Sequence, residues 1–117
     1  MVMNRAQRRI AHQPHDVYRA YLGGDLIYIG ISVNVFKRLS EHKKYARWYW
    51  EADRLEVVRR PNRSAARAEE ARVIAESAPR YNVTPERAWG CVESSETLDA
   101  FEMWRDQEGK WWIDAEG

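Results

Sequence analysis

Six polar side chains, Tyr18, Tyr28, Arg38, His42, Glu70 and Asn82, supply the donor types that phosphodiester hydrolysis uses. A carboxylate such as Glu70 is a hard oxygen ligand. It suits a magnesium-like ion, which commonly takes one or two protein carboxylates and keeps its waters. Arg38 can fork onto a phosphate and hold charge that grows in a transition state. A histidine or a tyrosine can take the proton from an attacking water. Singly, each residue also suits something plainer. Strand tyrosines pack, helix arginines and glutamates are solvated, and an asparagine after "PRY" forms turns. Their joint spacing is what points to a site. Arg38 and His42 lie four residues apart and share a helix face. Glu70 lies one turn before Ile74, close to the apolar face of its own helix.

These groups need elements to hold them. Asp16 to Leu22 and Leu26 to Ser32 read as two strands around "GGD". A three-residue loop, Gly23-Gly24-Asp25, is expected, pairing Leu22 with Leu26 and Ala20 with Tyr28. Tyr18 and Tyr28 then share one face. Gly30 inside the second strand implies a close approach to its backbone. Asn34 can cap a helix running to about Tyr45, with Val35, Phe36 and Leu39 as its apolar contacts. "RWYWEAD" reads as a turn or loop, and "RLEVVRR" as a third strand centred on Leu55 to Val58. Ser64 can cap a second helix to Ala78, stopped by Pro79, with Ala66, Val73 and Ile74 inward. After it, "ETLDAFEMWRD" is expected as a short helix with Leu98, Phe101 and Trp104 inward, and "KWWID" as a short strand or docked tail. The β-β-α-β-α order gives an α+β fold: a small three-stranded, mainly antiparallel sheet flanked by helices.

The 117 residues suffice for one domain with a modest core. The chain divides into a basic N-terminal segment (1–15), a core (16–82) and an acidic C-terminal extension (83–117) packed on that core. An apolar fraction of 44% with 32% charged residues reads as globular and soluble, not disordered. No apolar run approaches the roughly 20 residues that span a bilayer, so no membrane is expected. The N-terminus has no apolar stretch after its basic residues and does not read as a secretory signal. Cys91 is the one cysteine, which fits a reducing cytoplasm, so the "NVT" sequon at Asn82 reads as chance. The net charge of +1 hides an asymmetry. Residues 34–72 carry eleven basic and six acidic side chains, whereas residues 83–117 carry three basic and nine acidic. The middle segment therefore has the excess that could meet a polyanion.

The segments "DVYRAY", "LIYIGISVNVFKRLSEH" and "EEARVIAESAPRYN" resemble the GIY-YIG nuclease domain family. Val17-Tyr18 stands at its first motif, where Asp16 replaces the glycine and Val17 the isoleucine. Tyr28-Ile29-Gly30 is its second motif verbatim. Arg38 follows ten residues after Tyr28, and His42 follows at the spacing of homing and restriction members. Glu70 matches the register of the metal-binding glutamate, and "PRYN" closes the core. The resemblance spans residues 16–82.

It implies a metal-dependent endonuclease acting on phosphodiester bonds in DNA, with one magnesium (or manganese) ion per site. Carried over, Glu70 binds the metal, Arg38 contacts the scissile phosphate, and Tyr18 is the general base or water-positioning group. Tyr28 and His42 hydrogen-bond water or phosphate and could assist proton transfer. Asn82 orients its neighbours. A free tyrosine has a pKa of about 10, so a tyrosine base requires the metal and Arg38 nearby to favour its phenolate. Asp16 could hinder phosphate approach or bind metal itself, and Glu69 is an alternative ligand to Glu70. The nucleic-acid surface would come from Lys37, Lys43, Lys44, Arg47, Arg63 and Arg67, with Arg59 and Arg60 beside them. Trp48 and Trp50 suit either base stacking or the core. The other readings are a non-cleaving nucleic-acid-binding module on the same fold, or a structural protein without nucleic-acid affinity. The chain would act as a monomer or homodimer.

Overall fold

The computed structural model describes residue 10, residues 12–82 and residues 97–113. Most of the basic N-terminal segment, Cys91 and much of the acidic extension lie outside the described residues. The elements are β1 (His15–Leu22), β2 (Asp25–Ser32), α1 (Val35–Tyr45), α2 (Arg47–Glu51), β3 (Arg54–Arg60), α3 (Arg63–Ser77), β4 (Asp99–Arg105) and β5 (Trp111–Ile113). The strands form one five-stranded sheet in the order β2-β1-β3-β4-β5, with every pairing antiparallel.

The α+β class stands, and the sheet is wider than the expected three strands. The difference lies in residues 99–105, expected as a helix. In "DAFEMWR" every second residue from Phe101 can face inward, and β3 offers an edge to pair with. Met103 lies opposite Leu55 and Phe101 opposite Val57. Met103 is buried, whereas Leu98 and Trp104, expected inward, are exposed. An edge strand's unpaired peptide groups outweigh the local helix tendency of this segment. The expected strand at "KWWID" is present as β5 and pairs with β4.

The first hairpin turns on two residues, not three. Gly23 (φ 58°) and Gly24 (φ 92°) both take left-handed backbone, and Leu22 pairs with Asp25. A bulge next to Ala20/Tyr21 then passes over Ile27, so Ala20 still faces Tyr28 and Tyr18 faces Gly30. The even turn and the one-residue bulge together restore the odd register, which puts both tyrosine rings on one face. Gly30 carries that packing. A Cβ added there would meet the Tyr18 hydroxyl oxygen at 2.5 Å.

One sheet face, with Tyr18, Ala20, Leu55, Val57 and Met103, is covered by Val35 and Leu39 of α1 and by Trp48 and Tyr49. The segment expected as a loop is therefore the short helix α2, because two large rings gain more from burial than the segment gains from staying irregular. Phe36, an expected core contact, is about half exposed and lies over Phe101. The other face, with Val17 and Ile29, packs against Ala66, Val73 and Ile74 of α3. Asn34 caps α1, its side chain accepting from Lys37 N at 3.2 Å. Asn62, rather than Ser64, caps α3 by accepting from Ala65 N at 2.9 Å, because the chain leaves β3 at Pro61 and turns at once.

Gly30→Ala should destabilise the fold by about 1–3 kcal/mol in denaturant titration, the usual cost of overpacking a well-filled site. The same substitution beside Tyr18→Ala should cost much less, because the ring it collides with is gone.

Candidate active site

The hairpin brings Tyr18 and Tyr28 together, with ring centroids 6.1 Å apart. Helix α1 adds His42, whose Nε2 lies 2.8 Å from the Tyr18 hydroxyl. Trp48 of α2 closes this wall. Its indole stacks on Tyr28 at 4.6 Å and meets the His42 imidazole edge-on at 4.7 Å. One turn before His42, Arg38 is held by Glu41, Nη1 donating to Oε2 at 2.8 Å. Burial weakens the Arg38 guanidinium, and Glu41 and the Tyr18 hydroxyl beside it more than compensate.

Glu70 comes from α3, which packs against β2 and β1. Burial makes the Tyr28 hydroxyl a weaker acid, and the charge of the Glu70 carboxylate adds to that shift. Burial pushes the Glu70 carboxyl above its ordinary range, and Arg67 opposes the shift. Asn82 does not face this group. Its amide clamps the Ile29 peptide from both sides, Oδ1 accepting from N at 3.0 Å and Nδ2 donating to O at 2.9 Å. With Tyr81 N donating to Ile27 O at 2.9 Å, the "PRYN" segment satisfies the outer edge of β2. It thereby fixes the strand that carries Tyr28 and Gly30.

Two neighbouring carboxylates have other work. Asp16 is buried, accepting from Val35 N at 3.2 Å and from Arg59 Nε at 2.9 Å. It anchors the start of α1 to β3. Glu69 is buried on the opposite side, bonded to Arg60 at 2.5 Å and paired with Arg19 at 2.8 Å. Arg59 and Arg60 are thus engaged within the fold, while Lys37, Lys43, Lys44, Arg47 and Arg67 are exposed. Arg63 is half-buried. Trp48 belongs to the core, and only Trp50 of that pair is exposed. The sequence left Glu41 unnoticed and did not place Trp48 against the site rings. Glu41 three residues after Arg38 is the one legible signal, a helix ion-pair spacing.

Proton affinities set what these groups can do. Burial first, and Tyr28 second, push the Tyr18 hydroxyl well above the usual tyrosine value. Tyr18 is therefore a phenol at neutral pH. His42 is pushed down to about 4, by burial and then by the Arg38 charge, so its imidazole is neutral at neutral pH. A neutral Nε2 can accept the Tyr18 proton whenever Nδ1 carries the ring hydrogen.

Among the described residues no three His, Cys, Asp or Glu side chains cluster. A zinc-type site with three or four protein ligands does not fit. A single half-buried carboxylate does fit a magnesium-like ion that keeps its own water shell. Desolvation penalises the Glu70 charge, and a cation beside it would restore the ionised form.

A twisted antiparallel hairpin with two facing tyrosines, backed by a helix bearing Arg and His and another bearing a lone carboxylate, defines a class of small α+β nuclease domains. No protein-family model and no curated protein matches the sequence. Solved structures do. The magnesium-bound GIY-YIG N-terminal endonuclease domain of UvrC from Thermotoga maritima is 30% identical, with a TM-score of 0.55 over 69% of this chain and 100% of that one. Two point variants of the same domain, each bound to its catalytic divalent cation, match at 28% and 30% identity with the same TM-score, over 70% of this chain and 100% of theirs. One replaces an asparagine by alanine, the other a tyrosine by phenylalanine. The chain belongs to the GIY-YIG nuclease domain family.

The His42 ring should titrate near pH 4 by NMR, not near 6.5, and a midpoint at or above 6 would contradict its burial beside Arg38. The folded value lies below the unfolded one, so the unfolded chain binds this proton more readily. The contribution is fully present above about pH 6.5 and is lost as pH falls toward 4. His42→Gln should flatten that part of the stability profile.

Proposed function

We propose that residues 16–82 form the catalytic core of a divalent-metal-dependent endonuclease that hydrolyses phosphodiester bonds in DNA. The observation that carries this reading is the 2.8 Å contact between the Tyr18 hydroxyl and His42 Nε2, on the same hairpin face as Tyr28. Tyr18 receives a proton from the attacking water as its own proton passes to neutral His42. The water oxygen bonds to phosphorus, the bond to the leaving oxygen breaks, and that oxygen takes a proton from solvent. Arg38 holds the charge that gathers on the phosphate, and the Tyr28 hydroxyl donates to a phosphate oxygen or to the water. Glu70 would hold a magnesium or manganese ion, whose charge polarises the phosphate and acidifies bound water.

The Asp16 departure from the family motif lies outside this chemistry, its carboxylate being engaged by Val35 and Arg59. Lys37, Lys43, Lys44, Arg47, Arg63 and Arg67 line the approach for a polyanion. One site cuts one strand per encounter, so a monomer nicks, and a duplex break requires a homodimer or a second visit. Among the described residues no helix is long and apolar enough to cross a membrane. We place the protein in the cytoplasm.

Supercoiled plasmid with magnesium should convert to nicked circles, and EDTA should stop the conversion. Glu70→Ala should abolish nicking while leaving DNA binding in place. Tyr18→Phe should lower kcat by about 10²–10⁴-fold, and Arg38→Ala by about 10²–10³-fold. Wild-type protein that binds plasmid without nicking it would make this chain a binding module instead.

A further inference from the structure

Gly30 fixes the Tyr18 ring, and a different residue fixes the other two rings of the site. Trp48 is 3% exposed on the short helix α2. Its indole lies nearly parallel to the Tyr28 ring, 9° between planes at 4.6 Å, and edge-on to the His42 imidazole, 63° at 4.7 Å. It also comes within 6.3 Å of Tyr18, centroid to centroid. Stacked and edge-on contacts are the two arrangements that aromatic rings favour, and each ties one ring plane to the other. An aliphatic side chain of similar volume would fill the space and leave both planes free to turn. The Nε2 lone pair lies in the plane of the imidazole, so His42 can accept from the Tyr18 hydroxyl at 2.8 Å only while that plane is kept. A swing of the Tyr28 ring would carry its hydroxyl with it.

A five-residue helix cannot hold its own position, and α2 is pinned from three sides. Arg105 of β4 donates from Nε to Ala52 O at 3.0 Å and from Nη2 to Trp50 O at 2.7 Å. Glu51 accepts from Arg80 Nη2 at 2.6 Å and from the Tyr81 hydroxyl at 2.5 Å. Trp50 Nε1 donates to Lys43 O at 3.2 Å. Arg105 lies outside residues 16–82, so the hairpin that follows the catalytic core reaches the site through α2. We infer that Trp48 is a positioning residue for phosphodiester hydrolysis, holding the ring planes of Tyr28 and His42, and that Arg105 holds Trp48 in place; the inference rests on the nuclease reading above.

The test reads the His42 midpoint by NMR on the full chain, and kcat for plasmid nicking with magnesium at pH 5 and pH 8. The charged and titratable groups around His42 are Arg38 and Glu41 on its own helix and the Tyr18 and Tyr28 hydroxyls from the hairpin; α2 faces it with the uncharged indole. Trp48→Leu leaves all of those groups in the chain. It should move the midpoint from about 4 upward toward the ordinary value of about 6.5. Its kcat relative to wild type should then be roughly tenfold lower at pH 5 than at pH 8, because His42 must be neutral to take the proton. A smaller folded fraction would leave the NMR midpoint where it is. Trp48→Phe keeps a flat ring and should stay close to wild type in both readouts. Arg105→Gln keeps the indole, loosens its support and should move the midpoint the same way by less. A midpoint unmoved in Trp48→Leu, or moved as far in Trp48→Phe, overturns the role. If Trp48→Leu does not melt cooperatively, Arg105→Gln decides, and an unmoved midpoint there overturns it. Wild-type protein that binds plasmid without nicking it overturns the nuclease reading, and a moved midpoint then still supports the hold of Trp48 on the rings.

Discussion

The contact between the Tyr18 ring and the bare Cα of Gly30 is the constraint on which the site depends. A hydroxyl-bearing ring can lie flat across a neighbouring strand only where that strand has no side chain. The contact puts the Tyr18 hydroxyl within reach of His42 and leaves room for Tyr28 beside it. It also requires the two strands to be in one register. That register comes from two departures from regular geometry, a two-residue turn and a bulge at Ile27, which offset each other. Either one alone would turn one tyrosine to the opposite face. The "PRYN" segment then holds β2 from its outer edge through the Ile27 and Ile29 peptides.

Burial around this contact governs the chemistry. Trp48, packed on both Tyr28 and His42, takes the rings out of water. That raises the tyrosine hydroxyls and lowers His42 by the same physical cause, the cost of charge in a poorly solvated space. Tyr18 and His42 are then both neutral at rest, so a proton can move through the pair without a standing charge on either. Arg38 adds to the effect on His42 and favours charge on Tyr18. One cation therefore moves both partners the same way, making Tyr18 a readier proton donor and His42 a weaker acceptor.

The acidic side chains separate by location into distinct tasks. Asp16 joins the start of α1 to β3, and Glu69 joins α3 to Arg19 and Arg60 on the sheet. Glu70 differs from its neighbour by a 100° turn of the helix. Of the three it is the one left without an ion pair among the described residues. Two adjacent glutamates in sequence thus become a structural brace and a candidate metal ligand. The β4–β5 hairpin gives the sheet two further strands.

The sequence alone determined the elements whose cause is local. Glycine at 23 and 24 places the turn but not its length, Asn34 caps its helix, Pro79 follows the end of another, and the four-residue spacing of Arg38 and His42 puts them on one face. It also carried the six polar positions, through the order and spacing of the motifs. Tertiary structure decided what depends on partners distant in the chain. Residues 99–105 became a strand because β3 had an edge to pair, and "RWYWE" became a buried helix because the sheet face needed covering. Asp16 was drawn away from the site by Arg59, forty-three residues on. Whether Tyr18 rests as a phenol or a phenolate was also beyond the sequence, because that follows from how much water the surrounding packing excludes.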